Sequence, residues 1–275
     1  MLLHTLNQLI EIGIFLALYS LILSFCRFFF LSGRYREFAE FLGAEYNICT
    51  IVHDARGHGK SSGQRGFIGG MPELFSDIDT ILDFAKDDKH PSVPVFVLAH
   101  SFGGMTFLDY ARDNMKLSQR IQGSIITCPF VDFADHLDSV KVTVTRILGT
   151  FLPRLSLPVE ELPAKNLTSD PVKQKEHDED PANLHYFTVG WGLQTLNTQV
   201  RLRETTPLPI ATPVLYIVAE NDKVSDVEAV KKTGESIEQK DKTIVVRKGE
   251  EHEVLNETKR EETYRLIGDW IKQRV

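Results

Sequence analysis

The stretch Val95-Phe96-Val97-Leu98-Ala99-His100-Ser101-Phe102-Gly103-Gly104 decides how this chain folds. Val95 to Ala99 is a short, fully apolar strand, and it runs into a serine followed by two glycines and a helical segment through Asn114. A strand that turns sharply into a helix with a serine at the corner is a nucleophile elbow. The turn strains the backbone and crowds its neighbours, so it needs small residues, here Ala99 and Gly103. It lifts the Ser101 hydroxyl clear of the sheet. It also sets the Phe102 amide at a helix N-terminus, where it can donate to an oxyanion. Ala99 stands where glycine is usual, a mild departure.

Strand and helix alternate on both sides of this elbow. Upstream, Tyr35 to Leu42 has helical spacing, and Tyr46 to His53 reads as a buried strand. After a Gly-rich loop, Met71 to Lys86 keeps Leu74, Phe75, Ile78, Ile81, Leu82 and Ala85 on one helical face. Downstream, Gly123 to Cys128, Pro213 to Ala219 and Thr243 to Val246 read as strands, and Glu257 to Lys272 as a helix. This order means an α/β fold, a mostly parallel sheet covered by helices on both faces, with ligands at the carboxyl ends of the strands. Residues 131–209 break the alternation. They carry prolines at 153, 158, 163, 171 and 181 and an apolar helical segment from Leu184 to Leu202, which reads as an inserted, mostly helical cap. The cluster His177-Asp178-Glu179-Asp180 reads as a solvated charged face, because consecutive residues do not converge on one metal ion.

An alcohol is a weak nucleophile at neutral pH, so Ser101 needs a base and the base needs an orienting acid. In this fold class the chain order is serine, acid, histidine. The late strand Pro213 to Ala219 ends at Glu220-Asn221-Asp222, which makes Asp222 the preferred acid, with Asp226 and Glu220 as alternatives. Beyond the next strand, His252 is the only histidine after His185 and is the expected base. His100 adjoins the nucleophile but is expected to point to the sheet side of the elbow.

The 275 residues are 42% hydrophobic and 25% charged, ordinary for a globular chain with a sizeable core. A net charge of −7 with no Lys/Arg block argues against nucleic-acid binding. Three separated cysteines, Cys26, Cys49 and Cys128, make no disulfide framework or zinc pattern and point to a reducing compartment. There is no phosphate loop or dinucleotide fingerprint, so no cofactor is expected. Residues 1–31 are different material: from Leu2 to Leu31 the only formal charges are Glu11 and Arg27. This segment is a candidate membrane anchor, with Arg27, Arg34 and Arg36 leaving the rest on the cytoplasmic side. Its other reading is one or two buried strands or a core helix. The expected location is cytoplasmic or the cytoplasmic face of a membrane.

From Ser32 to the end, the chain resembles the monoacylglycerol lipase and lysophospholipase-like branch of the α/β-hydrolases. The resemblance rests on motifs in order: Ser32-Gly33-Arg34-Tyr35 with Phe38 to Leu42, then Asp54-Ala55-Arg56-Gly57-His58-Gly59-Lys60-Ser61, then Ala99 to Gly104. Leu152 to Pro158 and Asp180-Pro181 follow in the cap, then Glu220 to Val224 and His252 to Glu257. It implies an α/β-hydrolase domain over 32–275 with the cap at 131–209. It also implies a serine ester hydrolase for a lipid with one acyl chain, cleaving through an acyl-enzyme, with Ser101, Asp222 and His252 as catalytic residues. The cap would supply an apolar acyl channel, with Phe151, Leu155, Leu157, Phe187 and Trp191 as candidate wall residues.

One departure stands out. The family carries a His-Gly turn before its Ser-Gly-Arg-Tyr stretch, and the amide beyond it is the second oxyanion donor. Here that place reads Phe28-Phe29-Phe30-Leu31-Ser32-Gly33, as if the leading strands were replaced by an apolar helix. Losing one such donor costs about 10²–10³ in kcat. An amide from Leu31 to Gly33 could substitute, activity could be reduced, or the start of the chain could be atypical. A second function therefore stands beside ester hydrolysis: a catalytically impaired relative that binds lipid or membrane.

Overall fold

The computed structural model describes residues 20–25, 32–86, 93–135, 137–158, 162–181 and 183–275, the first six and residues 32 and 33 by their backbone. It opens on strand β1 (Ser20–Phe25), and after a 3₁₀ turn the chain forms α1 (Arg36–Tyr46), β2 (Ile48–His53) and α2 (Met71–Ala85). The elbow follows as β3 (Val95–His100) and α3 (Phe102–Arg112), then β4 (Gly123–Thr127). Residues 131–209 hold α4 (Ser139–Phe151), β5 (Ser156–Pro158), α5 (Pro171–Asp178), β6 (Tyr186–Thr188) and α6 (Val189–Glu204). The main sheet then resumes with β7 (Val214–Ala219), α7 (Val227–Ser236), β8 (Lys242–Arg247) and α8 (Arg260–Lys272).

Among the described residues the main sheet has six strands in the order β2-β1-β3-β4-β7-β8. Every neighbouring pair in it is parallel. Along β3 the side chains alternate between two cores. Val95, Val97 and Ala99 pack with Leu74, Ile78 and Leu82 of α2 and Met105 and Leu108 of α3. Phe96 and Leu98 pack on the other face with Phe38 and Leu42 of α1 and Ile267, Trp270 and Ile271 of α8. A period of two puts successive side chains on opposite faces, so a strand covered on both sides must be apolar throughout.

That rule also explains a correction. The apolar run at the start of the chain is not a helix over Ser20–Phe25. It is a strand in register with β2 on one side (Ser20 opposite Ile48) and β3 on the other (Leu21 opposite Val95). A strand inside a parallel sheet and a hydrophobic helix look alike by periodicity. The hydrolase domain expected over 32–275 therefore reaches back at least to Ser20. No helix among the described residues is long and apolar enough to cross a membrane. Residues 1–19 and 26–31, where the rest of the candidate anchor and the replaced His-Gly turn fall, lie outside the described residues.

Residues 131–209 pack onto the sheet domain near the elbow. Gln199 Nε2 of α6 donates to the Phe130 carbonyl at 3.1 Å, and Arg201 of α6 pairs with buried Asp109 of α3. β5 and β6 form an antiparallel ribbon in which Leu157 faces Phe187 across the register.

Candidate active site

Ser101 sits between β3 and α3 at φ 56° and ψ −120°. A positive φ is uncommon for a residue with a Cβ and stores strain, which the surroundings must hold in place. The Ser101 amide donates to Thr127 O of β4 at 3.0 Å, and its carbonyl accepts from Phe130 and Met105 amides, each at 2.9 Å. Packing is also tight at the second glycine after the serine: a Cβ on Gly104 would lie 3.0 Å from Pro129 Cβ and 3.2 Å from the Ala99 carbonyl.

The loops after β7 and β8 bring the other two groups to this serine. The Glu220 amide donates to Arg247 O, the Asn221 amide to Glu250 O, and the Gly249 amide to the Glu220 carboxylate. Gly249, at φ +72°, allows the second loop to turn. These bonds clamp the two loops together. His252 Nε2 then lies 2.8 Å from Ser101 Oγ, and His252 Nδ1 lies 2.6 Å from Asp222 Oδ2. All three side chains are buried. The other Asp222 oxygen accepts from the amides of Val224 and Ser225 at 2.8 and 2.9 Å. Burial pushes the Asp222 carboxyl up, but the His252 imidazole and these amides outweigh it and hold it below its ordinary value. It is therefore a carboxylate at neutral pH, accepting from His252 Nδ1–H. That tautomer leaves Nε2 to accept the Ser101 hydroxyl proton.

The alternative acids are engaged elsewhere. Asp226 caps α7 by accepting from the Ala229 amide at 2.6 Å, and Glu220 holds Gly249. Phe102, the first residue of α3, packs against Trp191 with ring centroids 5.6 Å apart, and Trp191 stacks on Phe187 at 4.7 Å. Of the candidate wall residues, these two adjoin the elbow. Phe151, Leu155 and Leu157 lie exposed on the surface of the 131–209 segment. His177 is turned inward, not solvated as expected, and its Nδ1 lies 3.0 Å from Arg34 Nη1.

The structure also places two acids that sequence reasoning passed over. Glu253, the residue after His252, lies 3.2 Å from Nε2 of His100, whose Nδ1 meets Thr127 and whose ring lies 4.9 Å from that of His252. Glu257 accepts from the amides of Ser169 and Glu251 at 2.8 and 3.0 Å, anchoring the histidine loop to the 162–170 segment. The only sign of either in the sequence is the pair of acids in His252-Glu253-Val254-Leu255-Asn256-Glu257, whose burial is a tertiary property.

This geometry sits in a recognisable lineage. The family model described as "Serine aminopeptidase, S33" (Hydrolase_4) matches residues 21–259. The chain belongs to this α/β-hydrolase family. The Hydrolase_4 match begins inside β1, in keeping with the place of that strand in the sheet. The chain is 27% identical over 243 residues to a monoacylglycerol lipase of Mycolicibacterium smegmatis, covering 87% of this chain and 83% of that protein. Human monoglyceride lipase is 27% identical over 250 residues, covering 89% and 79%. An uncharacterized abhydrolase domain-containing protein of Dictyostelium discoideum is 30% identical over 246 residues, and the match covers 89% of this chain and 25% of that longer protein. The crystal structure of the Paleococcus ferrophilus monoacylglycerol lipase superposes with a TM-score of 0.82 at 27% identity, over 93% and 95% of the two chains. The Hydrolase_4 member described here is thus a monoacylglycerol lipase-like α/β-hydrolase and a carboxylic ester hydrolase.

Proposed function

We propose that the chain cleaves the acyl ester of a monoacylglycerol or a lysophospholipid through an acyl-Ser101 intermediate. One observation carries this reading: the 2.8 and 2.6 Å contacts that join Ser101, His252 and Asp222, in a chain whose relatives are named monoacylglycerol lipases. Ser101 Oγ attacks the ester carbonyl while its proton passes to His252 Nε2. The imidazolium so formed is held by Asp222 through Nδ1–H. The Phe102 amide receives the oxyanion of the tetrahedral intermediate. On collapse, the glycerol or glycerophospho alcohol leaves with the proton from His252. A water then gives its proton to His252 and attacks the acyl carbonyl, releasing the fatty acid and restoring Ser101. Trp191 and Phe187, beside Phe102, supply apolar surface for the acyl chain.

The same reading puts the enzyme at a lipid surface on the cytoplasmic side. Val140, Val144, Ile147 and Phe151 follow helical spacing along one side of α4 and are 65%, 44%, 54% and 78% exposed. A row of large apolar side chains facing water on the segment that packs beside the elbow suits contact with the bilayer that holds the substrate. The test is labelling by a fluorophosphonate probe together with hydrolysis of a monoacylglycerol series. Wild type is expected to be labelled and active, and Ser101→Ala to be neither. Folded wild type that stays unlabelled and inactive would return the non-catalytic, lipid-binding reading.

A further inference from the structure

Behind His252 lies a second buried acid and imidazole that the reaction above does not use. His100, the last residue of β3, is 1% exposed and Glu253 is 0% exposed. His100 Nε2 lies 3.2 Å from Glu253 Oε1, and His100 Nδ1 lies 2.9 Å from Thr127 Oγ1 on β4. Asn256 Nδ2 donates to the other Glu253 oxygen at 3.1 Å, and the Glu253 amide donates to Leu167 O at 2.7 Å. The imidazoles of His100 and His252 are tilted by 57° with centroids 4.9 Å apart. A wholly buried carboxylate is costly to keep, and breaking its pairing is costlier still. Its position beside the reacting base gives that cost a use.

We propose that Glu253 is a positioning residue that, through its buried charge and its hold on His100, favours the protonated form of His252 on which ester cleavage depends. The inference rests on the reaction proposed above. When the Ser101 proton moves to Nε2, His252 becomes a cation on a fully buried side chain. Asp222 meets that charge at Nδ1, and Glu253, one residue along the chain, lies behind the His100 ring that packs beside His252. This works only while His100 is neutral, its Nε2–H donating to Glu253 and its Nδ1 accepting from the Thr127 hydroxyl. A cation on His100 would cancel Glu253 and repel the charge on His252. Other ionisable groups on the loops around the pair have partners of their own, Glu257 accepting from the amides of Glu251 and Ser169. Burial pushes the Cys128 thiol well above its ordinary value, so it is uncharged. Glu250 accepts from Arg247 Nε at 3.0 Å, and Glu251 accepts from Lys223 at 2.9 Å, so each of those carboxylates has a cation of its own.

The test is E253Q, which keeps the side-chain volume. Its carbonyl oxygen can still accept from His100, and Asn256 needs only to turn its amide over. The readout is kcat and kcat/KM against pH on a soluble monoacyl ester, p-nitrophenyl butyrate. Removing the negative charge lowers the pKa of His252, so the acidic limb is expected to move down by about one pH unit, with kcat lower by about tenfold. A purely structural role would lower the melting temperature and leave that limb in place. Folded E253Q with a wild-type acidic limb would overturn the proposal. Should the variant fail to fold, ¹⁵N-histidine NMR of the wild-type protein decides it: the proposal requires the proton to be on His252. A charged His100 in the pH range of activity would overturn the proposal. Wild type that cleaves no ester would instead refute the proposed reaction, and the order in which the two imidazoles titrate would still be read.

Discussion

In the proposed reaction His252 serves Ser101 in one tautomer only, and the residue that chooses it is Asp222. The carboxylate is held below its ordinary pKa by two backbone amides as well as by the imidazole, so the choice holds at neutral pH. A different histidine makes stability depend on pH. His58 is buried in the Asp54 to Ser61 loop, its Nδ1 donating to Arg56 O at 2.8 Å. Burial, helped by the nearby Arg65 charge and opposed by the Arg56 carbonyl, lowers its pKa from 6.5 to about 4. The unfolded chain takes up this proton below about pH 6.5 and the folded chain does not, so the unfolded state binds more protons between the two values. His58 therefore contributes stability that is fully present above pH 6.5 and is lost as the pH falls toward 4, by up to about 3 kcal/mol. Urea unfolding of His58→Gln across that window is expected to show a shallower loss than wild type. Parallel curves would show that another group carries the effect.

At the scale of elements, strand β3, the elbow and α3 are legible because their chemistry is local. An apolar strand, a serine and small residues at fixed offsets leave few alternatives, and at Gly104 any added Cβ would press on Pro129 and the Ala99 carbonyl. Helix α4 is read less well from the sequence. Phe151 at its end is a wall candidate by the family resemblance, yet it faces water with Val140, Val144 and Ile147, because hydrophobicity alone does not say what covers a helix. The double variant Val144→Glu and Ile147→Glu is expected to weaken sedimentation with anionic phospholipid vesicles by about a hundredfold or more, since each buried apolar side chain contributes roughly 1.5–3 kcal/mol. Its rate on a soluble short-chain ester should stay near wild type. Equal loss on both would mean that the stripe supports the fold and not a lipid surface.

For the whole molecule the deciding element is β1. It lies between β2 and β3, so its ladder bonds join the β2 edge to the strand that carries Ser101. A chain beginning at residue 32 would leave β2 without its neighbour and β3 with an open edge, a template for aggregation. Such a chain is expected to be insoluble or to lose its cooperative melt, whereas one beginning at residue 20 keeps the six described strands. A monomeric, cooperatively melting chain from residue 32, seen by size exclusion and circular dichroism, would show that the sheet can close without this strand.

By itself, the order of residues determined the alternation of strand and helix, the place of the elbow and the candidacy of His252, because each rests on local spacing or on the scarcity of one residue type. Only the tertiary structure decided that the early apolar run is a sheet strand at Ser20–Phe25, that Asp222 rather than Glu220 or Asp226 meets the imidazole, and that Glu253 is buried against His100. Those outcomes depend on contacts between segments far apart in the chain. Periodicity reports that a face is apolar, and a carboxylate reports that it carries charge. What each one meets is set by the packing of the whole sheet.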